Sequence, residues 1–465
     1  MNTKALSKWT VILAGVGLSM LPAVADEPVR NLLFLISDDL KASVLGCYGD
    51  EICDTPNIDA LAERGMVFDR AYCQGTWCKP SRLSFMHSRY VGDRGPTLGK
   101  HLVDKGFYSA RVGKIFHMRV PGDIIDGTDG EDVPETWTER FNCRGQEAHT
   151  PGLYRLLNKN IVGADPDDRQ STGDPHRMFV SVEAEGDGAD QPDWKAADKT
   201  IELLRKHGKS EKPFFIATGF VRPHYPNVAP ADLFKDYPVG EMPLPAVPEG
   251  DLGDVPEEGI GMTSQGSGIA RYPENIRRMW QAYYATVTFM DAQVGKVLDE
   301  LDRLGLRDST AIVFTSDHGY HLGEHHLWQK ASLREEVTRI PLIVSAPGFE
   351  AGRSTSLAEL MDLYPTLCDL AGLEIPETIQ GESLVPVMKD PSAAIRDGAL
   401  SLNRGALSLR TADWTYMRYK SGAEELYDMR GDPGQFTNLA RDEAHAGKKA
   451  ELSEALDAKA ALIEK

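Results

Sequence analysis

The sequence predicts an α/β fold: a large mixed, mostly parallel sheet sandwiched by helices, followed by a smaller C-terminal α+β subdomain. Three observations carry this. Asn31–Ser37 (NLLFLIS), Pro213–Thr218 (PFFIAT) and Ala311–Thr315 (AIVFT) are unbroken apolar runs, the pattern of strands buried on both faces. Between the last two, Ile276, Trp280, Tyr283, Val287, Met290, Val294, Leu298 and Leu301 recur at helical steps within Asn275–Leu304, and Gly305 stops that helix. Strands alternating with helices imply parallel pairing with both faces covered. After about Ile375 the texture shifts to short strand-like runs separated by turns.

Taken in order, residues 1–25 read as an address. Lys4 and Lys8 form a positive start, Trp9 to Pro22 is apolar, and Ala23-Val24-Ala25 offers a cleavage site before Asp26. A cleaved signal peptide implies a secreted or periplasmic protein. No cysteine precedes Cys47, and no other stretch is apolar enough to span a bilayer, so no stable membrane anchor is expected. The main domain is expected over 26–375 and the C-terminal subdomain, with a small antiparallel sheet and a terminal helix, over 376–465. Thr55–Gly65 reads as a helix and Ile340–Ser345 as a strand. Val120–Asp193 and Pro238–Arg271 are rich in Gly, Pro and acid, and read as lids and pocket walls. Ala406–Arg410, Trp414–Tyr419 and Glu425–Asp428 read as short strands, and Glu443–Ile463 as a helix.

Composition narrows the function. The chain has 465 residues with 51 Lys+Arg against 70 Asp+Glu, a net charge of −19. That balance excludes a sequence-independent nucleic-acid binder. Six cysteines are too few for a disulfide scaffold. The oligomeric state leaves no mark in the sequence.

Chemistry concentrates where strands end, the place where open α/β sheets bind ligands. The first strand delivers Asp38-Asp39, the run at Ala311–Thr315 delivers Asp317-His318, and Pro213–Thr218 leads to Arg222-Pro223-His224. Adjacent carboxylates beside a third carboxylate and an imidazole suit a hard cation such as Ca²⁺ or Mg²⁺. A further element is Cys78-Lys79-Pro80-Ser81-Arg82. Pro80 suits a first helical turn, which Leu83, Met86 and Tyr90 continue, so Cys78 sits at a helix N-terminus that favours an anion. A thiolate nucleophile, a modified cysteine that attacks a bound oxyanion, and a buried structural Cys all fit that local sequence.

Cys-x-Pro-Ser-Arg after a strand ending in Asp-Asp resembles the type I sulfatases of the alkaline phosphatase superfamily. Further motifs extend the resemblance along nearly the whole mature chain: Gly113-Lys114-Ile115-Phe116-His117, Arg222-Pro223-His224-Tyr225-Pro226, Ser316-Asp317-His318-Gly319, Leu322-Gly323-Glu324-His325 with Trp328-Gln329-Lys330, and Glu425-Leu426-Tyr427-Asp428. Two of these look most like the iduronate-2-sulfatase branch. The resemblance implies an alkaline phosphatase-like fold and removal of sulfate from a sulfated carbohydrate. It implies Cys78 converted to formylglycine by a maturation enzyme, and Ca²⁺ held by Asp38, Asp39, Cys78, Asp317 and His318. It also implies that a hydroxyl of the hydrated aldehyde, held by calcium and Arg82, attacks sulfur. Lys114 and Lys330 match sulfate contacts, His117 the group that helps expel sulfate, and His224 a proton donor to the leaving group. A phosphonate monoester or phosphodiester hydrolase on the same scaffold, or an inactive sulfated-glycan-binding protein, are the rival readings.

Overall fold

The computed structural model describes residues 27–169, 175–261 and 267–463. The segment read as a signal peptide lies outside them. The strand Asn31–Asp38 is buried along its whole length and forms the centre of the large sheet. It pairs in parallel with Thr310–Ser316 on one side and Phe214–Pro223 on the other. Beyond Phe214–Pro223 come Tyr108–Gly113 and then Glu139–Phe141, both parallel. On the opposite flank Leu342–Ser345 runs antiparallel to Thr310–Ser316, followed by Met66–Tyr72 and, parallel to it, the edge strand Gly352–Glu359. The sheet is therefore mixed and mostly parallel, the expected class.

Side chains of the central strand alternate between two cores. Leu33 and Leu35 enter one, while Leu32, Phe34 and Ile36 enter the other. The first core lies under the helices Pro192–His207 and Pro273–Arg303, whose apolar stripes pack on each other and on the sheet. The second lies under Cys78–His87, Leu98–Asp104 and Leu363–Leu370. The run expected as one strand over Ile340–Ser345 is broken at Pro341 into Arg339–Ile340 and Leu342–Ser345. A proline has no N–H for the ladder, which accounts for the break.

The segments that lacked period are more ordered than their composition suggests. Gly152–Leu156, Ile161–Val162 and Val180–Ala184 join Asn227–Pro230 in a second, four-stranded sheet. The other segment supplies short turns and Glu257–Gly261. Near the C-terminus, Gly398–Asn403, Ala406–Thr411, Trp414–Arg418 and Glu424–Asp428 form an antiparallel meander. Its first strand was not foreseen, because GALSLN carries no strong alternation. The terminal helix is Ala446–Ala460; Glu443–His445 is a separate 3-10 turn, capped by Asp442, whose side chain accepts from the N–H of Ala444. All six cysteines are free thiols.

One buried ion pair fixes the exit of Phe214–Pro223. The Arg222 guanidinium meets Glu147 at 3.1 and 3.2 Å, and both residues are fully buried. Asp193 accepts from the backbone N–H groups of Val221 and Arg222 at 2.7 and 2.9 Å. Removing one partner strands a charge in the core, so Glu147→Ala is expected to cost about 3–5 kcal/mol. Urea unfolding of the variant measures this; a loss under about 1 kcal/mol would show that Asp193 alone holds the turn.

Candidate active site

The central strand ends by placing two carboxylates at one point. Asp38 continues the strand, and Asp39 turns out of it in a left-handed conformation, φ 64°. Asp38 Oδ1 accepts from Arg82 Nη2 at 3.0 Å and its Oδ2 from Lys114 Nζ. Asp39 Oδ1 accepts from Lys330 Nζ at 2.5 Å, and its backbone N–H donates to Asp317 Oδ1 at 3.1 Å. The helix Cys78–His87 points its N-terminus at this pair. Trp77 precedes it in extended backbone and caps it with no side-chain bond. Cys78 Sγ lies 3.1 Å from Lys330 Nζ, 3.8 Å from Lys114 Nζ and 3.9 Å from Asp39 Oδ1.

Arg82 follows one helical turn after Cys78 and so shares its face. Its Nε donates to Asp317 Oδ2 at 2.9 Å, and its Nη1 to the carbonyls of Lys114 and Ile115 at 2.6 and 2.9 Å. Its donors are thus directed at the protein, and the side chain is fully buried. Arg82 braces the carboxylates from behind. Lys114 reaches the centre because glycine allows two chains to touch: a Cβ on Gly219 would fall 1.9 Å from the Lys114 carbonyl oxygen.

The loop bearing Lys330 is held from two sides. Gln329 and Ala331 both have positive φ, 72° and 63°. Ala331 N–H donates to the Thr76 carbonyl at 2.8 Å, and Asn403 Nδ2 donates to the Ala331 carbonyl at 2.5 Å. Further along, Arg334 Nη2 donates to Glu425 Oε2 at 3.1 Å and its Nη1 to the Gln435 carbonyl at 3.0 Å. Tyr419 and Tyr427 hydroxyls also donate to Glu425. The Glu425-Leu426-Tyr427-Asp428 motif therefore anchors this loop to the C-terminal meander.

Burial and charge set the protonation of the site. Burial pushes Asp39 up to about 7, with Lys330 opposing. Asp38 is also buried, yet Lys114 and Arg82 hold it well below the carboxylate range. Burial and Asp38 oppose ionisation of Cys78, and Lys114 and Lys330 outweigh them to lower its thiol. Burial disfavours the charged form of Lys330, but Asp39 and Cys78 raise it well above its usual value. Burial, then Lys114, lowers His117 to about 4. Its Nδ1 is buried and has no hydrogen-bond partner. His224 is lowered well below its usual value by burial and then Lys330. Its Nδ1 lies 2.6 Å from the Tyr225 carbonyl, which only accepts, so Nδ1 carries the proton. His224 Nε2 then faces Asp39 Oδ2 at 3.7 Å with its lone pair.

The five residues expected to hold a metal converge. Donor atoms of Asp38, Asp39, Cys78 and His224 lie within 4.8 Å of one another, and so do those of Cys78, Asp317 and His318. Asp39 Oδ2 and His318 Nε2 are buried without a hydrogen-bond partner. His318 Nδ1 is bonded to the Gly319 carbonyl at 2.9 Å, which turns Nε2 toward Asp39 and Asp317. Three carboxylates and one imidazole with such open donors fit a hard divalent cation. Burial resists a charge on His318, but Asp317 raises it to about 9.

Sequence reasoning missed Tyr225 and Tyr283 as parts of the site. The Tyr225 ring lies 4.2 Å from the His224 ring and 5.6 Å from Lys330 Nζ, centroid distances that put it against both residues. Tyr283 was visible only as a core position of its helix; its hydroxyl donates to the Asp39 carbonyl at 2.6 Å. His325 Nδ1 pairs with Asp251 at 2.9 Å, which ties the segment Pro238–Arg271 to the Leu322-Gly323-Glu324-His325 motif.

Residues 30–373 match the family described as Sulfatase, and residues 323–461 match N-sulphoglucosamine sulphohydrolase, C-terminal. The chain is 33% identical over 404 residues to iduronate 2-sulfatase of Homo sapiens, covering 74% of this chain and 70% of that protein. The Mus musculus iduronate 2-sulfatase is 32% identical over 411 residues, with 74% and 69% covered. In fold it is similar to the phosphonate monoester hydrolase of Agrobacterium radiobacter, with a TM-score of 0.75 at 21% identity over 94% of this chain and 96% of that one. Together with the strand-end carboxylates and the Cys78 helix, these matches place the chain among the type I sulfatases of the alkaline phosphatase superfamily, as a sulfatase enzyme.

Proposed function

We propose that the enzyme removes sulfate from a sulfated carbohydrate, in the manner of an iduronate-2-sulfatase, with Ca²⁺ at Asp38, Asp39, Asp317, His318 and residue 78 and with Cys78 matured to formylglycine. The observation that carries this is the position of Cys78 Sγ, at a helix N-terminus and within 3.8 Å of two lysine ammonium groups. Calcium would supply fixed positive charge to sulfate oxygens, and formylglycine a hydrated aldehyde as nucleophile.

The chain's own residues do the rest. Lys114 and Lys330 each have three N–H donors, enough to hold both a carboxylate and a sulfate oxygen. They neutralise the charge that spreads over sulfate as the ester is attacked, from largely buried positions where such charge counts most. Arg82 keeps Asp38 and Asp317 aimed at one point. His117, neutral at physiological pH, is suited to taking a proton at residue 78 as sulfate leaves. His224 presents Nε2 without a proton, so it acts as an acid only after gaining one. A bound sulfate ester places negative charge beside its ring and favours that gain. Lys330, protonated throughout, is the second donor to the leaving oxygen. Among the described residues no helix is long and apolar enough to cross a membrane. Export through the 1–25 leader belongs to the same proposal, and N-terminal sequencing of the exported protein should begin at Asp26.

Cys78→Ala should lower turnover of an aryl sulfate by at least about a thousandfold with little change in Tm, since it removes the nucleophile. Mass analysis of the peptide spanning Cys78 should show the aldehyde in place of the thiol; near-wild-type turnover by the variant refutes the assignment. Chelation should abolish activity and Ca²⁺ restore it. A clear preference for an aryl phosphodiester over an aryl sulfate would favour the phosphonate hydrolase reading. His224→Ala should lose more rate on alkyl than on aryl sulfates, because only the poor leaving group needs a proton.

His117 also makes a prediction in pH. Its ring is lowered from 6.5 to about 4 in the folded state, so the unfolded chain binds the extra proton between those values. Stability therefore falls as pH drops from 6.5 to 4, and is fully retained above 6.5. His117→Gln should flatten that part of the stability curve, measured by urea unfolding across pH. An unchanged slope would place the His117 titration elsewhere.

A further inference from the structure

Among the five residues expected to hold the metal, Asp39 alone has a left-handed backbone, φ 64°, a region that residues other than glycine seldom enter. Its Oδ1 meets Lys330, and its Oδ2 is buried without a hydrogen-bond partner. The turn aims both oxygens, so whatever holds the turn holds the ligand. Side chains from elsewhere hold each of its backbone groups. Asp39 N–H donates to Asp317 Oδ1 at 3.1 Å, Leu40 N–H to Ser316 Oγ at 3.0 Å, and Lys41 N–H to the Tyr283 hydroxyl at 3.1 Å. The same hydroxyl donates to the Asp39 carbonyl at 2.6 Å.

A phenol oxygen both donates and accepts, so one Tyr283 side chain closes the two ends of the turn. It does so from the helix Pro273–Arg303, which carries none of the five expected ligands. The Tyr283 ring is buried and stacks on Tyr320, with centroids 5.8 Å apart and planes at 25°. One helical turn further on, Thr286 Oγ1 accepts from Asn227 Nδ2 at 3.3 Å. Asn227 Nδ2 also donates at 3.1 Å to the carbonyl of Pro223, the residue before His224. This helix face therefore reaches the reaction centre at two points. Without the Tyr283 hydroxyl, the Asp39 carbonyl and the Lys41 N–H would be buried unpaired, and a strained backbone would lose the contacts that sustain it.

We propose that Tyr283 is a positioning residue for the metal: its hydroxyl holds Asp39 in the left-handed turn that presents the carboxylate to the ion. The inference rests on the calcium reading above and extends it. A helix that touches neither metal nor substrate thereby sets how tightly the cation is held. Tyr283 acts through the Asp39 backbone, and the ligand set itself is complete without it.

Calorimetric titration of the chelator-stripped, full-length enzyme with CaCl₂ tests this apart from turnover. Tyr283→Phe keeps the ring and removes the bridge, and it should bind Ca²⁺ at least about tenfold more weakly than wild type. Tyr284→Phe is the control. It is the next residue on the same helix, and it loses a comparable bond, from its hydroxyl to Asp50 Oδ2 at 2.9 Å, with no link to Asp39. Its Ca²⁺ affinity should stay within about twofold of wild type. At saturating Ca²⁺ the turnover of an aryl sulfate by Tyr283→Phe should recover, which separates a lost affinity from a lost catalytic group. If stripped Tyr283→Phe does not fold, the variant prepared in Ca²⁺ should give up its ion to a chelator at least about tenfold faster than wild type. Unchanged affinity or release, an equal loss in Tyr284→Phe, or a defect that saturating Ca²⁺ does not relieve overturns the proposal and leaves the calcium reading standing. A wild-type enzyme that binds no Ca²⁺ overturns both.

Discussion

The buried Arg82 guanidinium is the strut on which the site depends. It ties Asp38, from the central strand, to Asp317, from its neighbour, and both carboxylates are as inaccessible as the arginine itself. Two ionised acids so close repel each other and resist desolvation; a guanidinium that donates to both makes their approach tolerable. The same group donates to the carbonyls of Lys114 and Ile115. One side chain therefore registers two strand ends, the Cys78 helix and the turn that supplies Lys114. Breaking it would leave charge buried without compensation, which explains why so polar a cluster can sit within the core at all.

A second constraint comes from outside the main sheet. Lys330 stands on a loop with two left-handed residues, a conformation the loop would not keep unaided. Thr76 holds it from the Cys78 side, and Asn403 with the Arg334–Glu425 pair holds it from the meander. The C-terminal subdomain is thereby part of the reaction centre in a mechanical sense. Its strands fix the position of the ammonium group that touches both Cys78 and Asp39.

What the sequence made legible follows from burial. Strands covered on both faces appear as apolar runs, and the polar residues that end them stand out against that background. Asp38, Asp39, Cys78, Asp317 and His318 were readable for this reason. The second sheet was not, because strands such as Gly152–Leu156 are only partly covered and carry no continuous run. Glu147 and Asp193 looked like ordinary acids in an acidic segment. Their partners at Arg222 and its neighbours lie 28 residues or more away in sequence, and no local pattern records such a pairing. Tyr283 shows the opposite failure. Its spacing marked it correctly as core, and spacing could not reveal that its hydroxyl reaches the Asp39 carbonyl. Roles that a family motif assigns to His224 also need the structure: only the bond to the Tyr225 carbonyl shows which nitrogen faces the centre.

The charge balance resolves into two scales. A chain at −19 repels a sulfated carbohydrate at long range, and salt screens that repulsion within about 8 Å at physiological ionic strength. Binding must then rest on cations met at contact. Lys114 and Lys330 stand over the carboxylates and the Cys78 sulfur, and their neighbours partly neutralise them. An acidic chain that gathers its cations at one buried centre discriminates by position: a sulfate gains only where it lies between the two lysines.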